Sequence, residues 1–155
     1  MSSDLRSLYQ EVILDHYKRP RNFGPLAGAD RHADGYNPLC GDRVSVHLKL
    51  GADGTIEGVS FEGSGCAIST ASASLMTEAV AGKSAREALA LQDRFHRVLT
   101  GQNGEVDLSD LGKLEALSGV RDYPVRIKCA TLAWHALKAA LEGEAEAARR
   151  PVSTE

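Results

Sequence analysis

The placement of three cysteines restricts the fold of this chain more than any other feature. Cys40 stands in Asn37-Pro38-Leu39-Cys40-Gly41-Asp42, Cys66 in Gly63-Ser64-Gly65-Cys66-Ala67-Ile68-Ser69, and Cys129 in Pro124-Val125-Arg126-Ile127-Lys128-Cys129-Ala130. Each follows a tight turn or opens an apolar helical pattern. With Asp42 they offer three thiolates and one carboxylate, a set that suits one tetrahedral metal site. The bland alternative is three small buried hydrophobes, because free cysteine is often fully buried. Spacing alone leaves both readings open, since this is not the paired C-x-x-C pattern of a zinc ribbon.

An odd number of cysteines disfavours a framework of structural disulfides. No apolar run approaches the ~18 residues that a bilayer span needs. Met1 to Gln10 lacks the apolar core of a signal peptide, so a cytoplasmic location is expected. The net charge of −3 gives no bulk attraction to nucleic acid or an acidic membrane, and neither is expected as a partner. At 155 residues, one domain with one core is expected.

Asp4 to Lys18 reads as a helix with Leu5, Leu8, Val12 and Ile13 as its apolar stripe, stopped by Pro20. Arg19 to Pro25 reads as a loop. Val44, Val46, Leu48 and Leu50 alternate with polar residues, which predicts a half-buried strand. After a turn at Gly51 to Gly54, Thr55 to Phe61 returns as a second strand. Ile56 is out of phase with Val59 and Phe61, so a bulge is expected near Gly58. A further strand is expected around Arg31 to Tyr36.

Cys66 to Ala81 reads as a helix closed by Gly82. Ser84 and Glu87 fit a capping box for the next helix, whose stripe is Ala88, Leu91, Phe95 and Val98. A shorter helical pattern covers Asp107 to Leu117, and a last helix covers Ile127 to Leu141. Residues 1–141 form the expected domain, and 142–155 an expected flexible tail. The sum is an α+β domain: a small antiparallel three-stranded sheet with helices packed on one face.

Gly41 lets the backbone turn so that Cys40 and Asp42 can face one ion. Cys66 falls at a predicted helix N-terminus, where the dipole favours a thiolate. Arg126 and Lys128 beside Cys129 would lower its pKa. Arg126 reads equally as electrostatic support or as a solvated cation. Lys18, Arg19 and Arg21 read as a docking patch or a solvated surface. No histidine stands at metal-ligand spacing from a cysteine. His47 is expected to face solvent and His16 to pack or hydrogen-bond, while Trp134 and Phe95 read as core. No histidine is placed by sequence to serve as the base of a cysteine hydrolase.

Several motifs carry a resemblance. Leu8-Tyr9 through Val12-Ile13, and Asp15-His16-Tyr17-Lys18-Arg19-Pro20-Arg21-Asn22, are similar to the N-terminal signature of the U-type iron–sulfur assembly proteins. The same holds for the Cys40 and Cys66 motifs, for Ala71-Ser72-Ala73-Ser74-Leu75-Met76-Thr77, and for Pro124 to Trp134. Within that group the chain most resembles the SufU type. Lys128 stands where IscU-like chains carry histidine, and the extra length between Cys66 and Cys129 falls in Arg94 to Val120.

The resemblance implies a SufE/NifU-like fold and a zinc-dependent sulfurtransferase. Cys40, Asp42, Cys66 and Cys129 would hold one zinc ion, with Arg126 and Lys128 supporting. Cys40 would accept persulfide sulfur from a SufS-type cysteine desulfurase, once a histidine of that enzyme takes its place on the metal. The sulfur would pass to a SufBCD-type scaffold complex. Two alternatives remain: a scaffold that assembles a 2Fe–2S cluster on the same ligands, binding iron transiently, and a purely structural zinc module.

Overall fold

A computed structural model describes residues 3–101, 111–142 and 152–153. The elements run α1 (Ser3–Lys18), β1 (Arg31–Asn37), β2 (Asp42–Leu50), β3 (Ile56–Ser64), α2 (Ala67–Val80), α3 (Ala85–Thr100), a 3-10 helix (Gly112–Asp122), α4 (Pro124–Glu142) and β4 (Val152–Ser153). The strand order is β3-β2-β1-β4. The three long strands are antiparallel, as expected. The two-residue β4, which no sequence pattern announced, lies parallel to β1 at the edge. The rest of the expected tail beyond Glu142 lies outside the described residues.

Alternation sets the sheet's two faces. Ala33, Val44, Val46, Leu48, Val59 and Phe61 are buried, and α4 covers β1 and β2 while α2 covers β3. Gly35 permits the close approach of α4, since a Cβ there would stand 3.0 Å from Leu132 Cδ1. The expected bulge is present. Lys49 pairs with Gly58 and Leu50 with Ile56, so Glu57 is extra and Ile56 turns inward.

Behind the sheet, Phe95 of α3 stacks on Trp134 of α4 at 4.6 Å, both fully buried. The Trp134 indole N–H donates to Ser72 Oγ at 3.1 Å, and Ser72 donates to the Ala130 carbonyl. The capping box of Ser84 and Glu87 is formed.

The expected α1 stripe is met in part: Val12 and Ile13 pack against the core, but Leu8 is 53% exposed. Helix α1 instead turns His16 inward, where Nδ1 meets Ser74 Oγ of α2 at 2.7 Å. Burial pushes the His16 pKa down, so the ring is held neutral. The same Ser74 Oγ accepts the Arg21 backbone N–H at 2.8 Å. The Asp15-to-Asn22 motif and the Ala71-to-Thr77 motif thus form one hydrogen-bonded joint between α1 and α2.

Arg19 and Arg21 both pair with Asp15, and the Arg19 side chain stays 80% exposed. The helical pattern expected over Asp107 to Leu117 lies partly outside the described residues. The described part is the 3-10 helix, which begins at Gly112 and runs on to Asp122. No helix among the described residues is long and apolar enough to cross a membrane.

Candidate metal centre

The site forms where the β1–β2 loop, the start of α2 and the second turn of α4 meet. Asn37 and Asp42 are register partners closing the hairpin. Between them Gly41 takes φ +72, a left-handed conformation that favours glycine. The Cys40 and Gly41 N–H groups donate to the Asn37 carbonyl at 3.3 and 2.8 Å. This loop leaves Cys40 exposed and points Asp42, with no accessible surface, inward.

Cys66 is the N-cap of α2, and its Sγ accepts the Ser69 N–H at 3.4 Å. Its own N–H donates to Asp42 Oδ1 at 2.9 Å. Gly65 is required beside it, since a Cβ there would lie 2.6 Å from Asp42 Oδ1. Pro124 opens α4, where its missing N–H costs nothing, and Cys129 is carried fully buried to the cluster.

Ligand atoms of Cys40, Asp42 and Cys129 all lie within 4.8 Å of one another. Cys129 Sγ is 3.4 Å from Cys40 Sγ. Cys66 stands alongside rather than within that trio, its Sγ 3.9 Å from Asp42 Oδ2. Two thiolates held by one tetrahedral zinc at ~2.3 Å put their sulfurs ~3.8 Å apart, so the spacing fits such an ion.

The electrostatics point the same way. Burial first, then the nearby Asp42 and Cys40 side chains, push the Cys129 thiol far up. That reverses the expectation that Arg126 and Lys128 lower it. Arg126 is exposed and Lys128 half-buried, and burial outweighs them. Burial of this kind favours the Cys129 thiolate only where a cation stands beside it. The donor set of thiolates plus carboxylate suits zinc.

Sequence reasoning missed one member. Asn37 is fully buried, and its Nδ2 faces Asp42 Oδ2 at 3.5 Å and Cys129 Sγ at 3.6 Å. Its Oδ1 accepts the Leu39 N–H at 3.3 Å. An asparagine that opens a Pro-containing turn next to a ligand pair is the signal that could have found it. It links the Asp42 carboxylate to the Cys129 sulfur from one amide group.

Residues 8–130 match the profile of the NifU-like N-terminal domain. The chain is 48% identical over 145 residues to a Streptococcus pyogenes serotype M1 protein named iron-sulfur cluster assembly scaffold protein IscU, covering 94% of this chain and 89% of the relative. It is 47% identical over 137 residues to a Bacillus subtilis (strain 168) protein named zinc-dependent sulfurtransferase SufU, covering 88% and 91%. The crystal structure of FiSufU from Fervidobacterium islandicum AW-1, described as a scaffold protein for the SUF system, superposes with TM-score 0.79. It shares 36% identity and covers 90% of this chain and 99% of that one.

Proposed function

The chain belongs to the NifU-like N-terminal domain family of iron–sulfur cluster assembly proteins, and on that premise we propose that it is a zinc-dependent sulfurtransferase. It takes persulfide sulfur from a SufS-type cysteine desulfurase on Cys40 and hands it to a SufB-containing scaffold. Cys40, Asp42, Cys66 and Cys129 hold the zinc ion, with Arg126 and Lys128 in support. The observation that carries this reading is the mismatch in exposure within one cluster. Cys40 is exposed on a loop, whereas Cys129 is fully buried on a helix 3.4 Å away.

When bound, zinc supplies the positive charge that keeps clustered thiolates ionised at neutral pH. The chain's own residues do the rest. Asp42 is fixed by the Cys66 N–H and Asn37, and Cys129 by its helix, so the anchored side does not depend on the loop. Cys40 is the thiol a partner can reach.

Its thiolate attacks the outer sulfur of the desulfurase persulfide. A new S–S bond forms on Cys40, the old one breaks, and the desulfurase cysteine leaves as thiolate. No net electrons are gained or lost, and no other reactant is needed. Leu39, Tyr123 and Val125 are exposed on the loop and helix end that supply Cys40 and Cys129, and they give an approaching partner apolar surface.

The test is to incubate the protein with desulfurase and cysteine, alkylate, and map peptides by mass. Extra sulfur on the Cys40 peptide is expected. Extra sulfur on Cys129 instead, or none beside an active desulfurase, overturns the assignment. A second reading, a scaffold for a 2Fe–2S cluster, is favoured by the name of the Streptococcus pyogenes relative and by the thiolate donors. It predicts visible absorption bands and bound labile sulfide after anaerobic reconstitution. Lys128 in the place of histidine supports the transfer reading.

A further inference from the structure

The face of the sheet turned away from α2 and α4 carries a second set of metal-ligand side chains, sharing no residue with the thiol cluster. His32 of β1 and His47 of β2 are direct register partners. Their Nδ1 atoms lie 3.0 Å apart. His32 Nε2 sits 2.9 Å from Asp34 Oδ1, and His47 Nε2 sits 2.9 Å from Glu62 Oε1. Asp34 is held in turn by the Ser45 hydroxyl, which donates to Oδ1 at 2.6 Å.

The protons on these rings are set by their partners. A carboxylate only accepts, so each Nε2 carries the N–H. A neutral imidazole has one N–H, which leaves both Nδ1 atoms as bare lone pairs pointing into a 3.0 Å contact. Two lone pairs do not bond, so something positive belongs between them. A proton fills the gap only by making one ring imidazolium. A divalent cation of borderline softness fills it with both rings neutral, the form in which imidazole ligates.

Two observations favour the metal. Both histidines have the far nitrogen bound to a carboxylate, the outer-shell arrangement that fixes tautomer and orientation in metal-ligating histidines. In the same cross-strand row, Ser60 pairs with His47. Its buried hydroxyl has no hydrogen-bond partner among the described residues, which makes it available to a water on the ion. The rings lie 4.9 Å apart with planes 29° from parallel. Histidine χ2 is a broad torsion, so a modest rotation turns both lone pairs onto one ion.

We propose that His32 and His47 form a second, two-imidazole metal site on the open sheet face, for a divalent cation of the zinc or nickel class. Asp34 and Glu62 orient the ligands, and water completes the coordination. Access is direct, since the His32 side chain is 46% exposed. The sulfur-transfer reading is not required for this site.

The experiment uses the full chain, free of any affinity tag and with its thiol cluster loaded with zinc. Nickel chloride is added at pH 7.5 and the histidine ring signals are followed by NMR. At one equivalent, selective paramagnetic broadening of His32 and His47 is expected, with His16 unaffected. Equilibrium dialysis should give one nickel per chain. His32→Gln with His47→Gln should abolish that binding, while Asp34→Asn or Glu62→Gln should weaken it by about tenfold.

Zinc retained at the thiol cluster and an unchanged melting temperature would show that the variants are folded. Nickel binding that survives in the double variant, or broadening spread evenly over all five histidines, overturns the site. So does coupled titration of the two rings with no response to metal, which would assign the gap to a shared proton.

Discussion

Gly65→Ala tests how tightly the backbone of one segment controls the proposed metal ligands of another. A Cβ at residue 65 would stand 2.6 Å from Asp42 Oδ1 and 3.1 Å from its Cγ. Asp42 has no accessible surface, so the carboxylate has little room to yield except by rotating. Rotation breaks the Cys66 N–H bond to Oδ1, now 2.9 Å. A hydrogen bond to a charged group contributes about 1.5–3 kcal/mol. If that energy holds Asp42 in its ligating position, zinc affinity falls by about 10- to 100-fold.

The assay is competition against a chromophoric chelator at pH 7.5. Gly82→Ala is the control, because Gly82 has a left-handed backbone (φ +83) and nothing lies within 4 Å of an added Cβ. It should lower stability by about 1–2 kcal/mol through left-handed strain and leave zinc affinity unchanged. Gly65→Ala protein that holds zinc as tightly as wild type would refute the coupling between Gly65, Asp42 and the metal.

Three further outcomes are expected. Ser74→Ala leaves His16 Nδ1 and the Arg21 N–H without their shared partner. Each orphan costs about 1–3 kcal/mol, so the melting temperature should fall by about 5–15 °C; a drop under ~2 °C in calorimetry would contradict the joint. Asp15 is held at a pKa of about 2, below its ordinary 3.8, by hydrogen bonds from Arg21 and then Arg19. A depressed carboxylate stabilises the fold above its ordinary pKa and loses that contribution as pH falls toward 2. Asp15→Asn should therefore be less stable than wild type at pH 7 in urea titrations, with the gap closing near pH 2. Chelation of zinc should lower the melting temperature, and an unchanged melt would count against an ion that contributes folding free energy.

Much of this was legible because local patterns and tertiary demands agreed. The alternation from Val44 to Leu50 could be satisfied only by a strand with one covered face. The phase break at Ile56 required the bulge found at Glu57. The failures share a cause, which is long-range pairing. Counting apolar residues placed Val12 and Ile13 correctly but put Leu8 on the buried stripe of α1, whereas the fully buried member is His16, held by Ser74 in a polar contact between distant motifs. The charges next to Cys129 in sequence suggested a lowered pKa, yet burial on α4 dominates.

The proposed ligand set shows both sides. Asn-Pro-Leu-Cys-Gly-Asp marks Cys40 and Asp42 as neighbours, because the loop is short and closes on Gly41. That Cys66 binds Asp42 from the side rather than joining the tight trio needed coordinates. The His32–His47 pair was hidden for a different reason. Counting back equally along both strands from the Asn37–Asp42 closure lands on the two histidines, but only once that closure is known. Two residues of β4, with no alternation to display, left no readable signal.

The most direct test of the central claim is alanine production by the cognate cysteine desulfurase, measured with zinc-loaded wild type and with Cys40→Ala. Strong stimulation of turnover by wild type and none by Cys40→Ala is the predicted result. Equal stimulation by both, or none by either beside an active desulfurase, would contradict sulfur acceptance on Cys40.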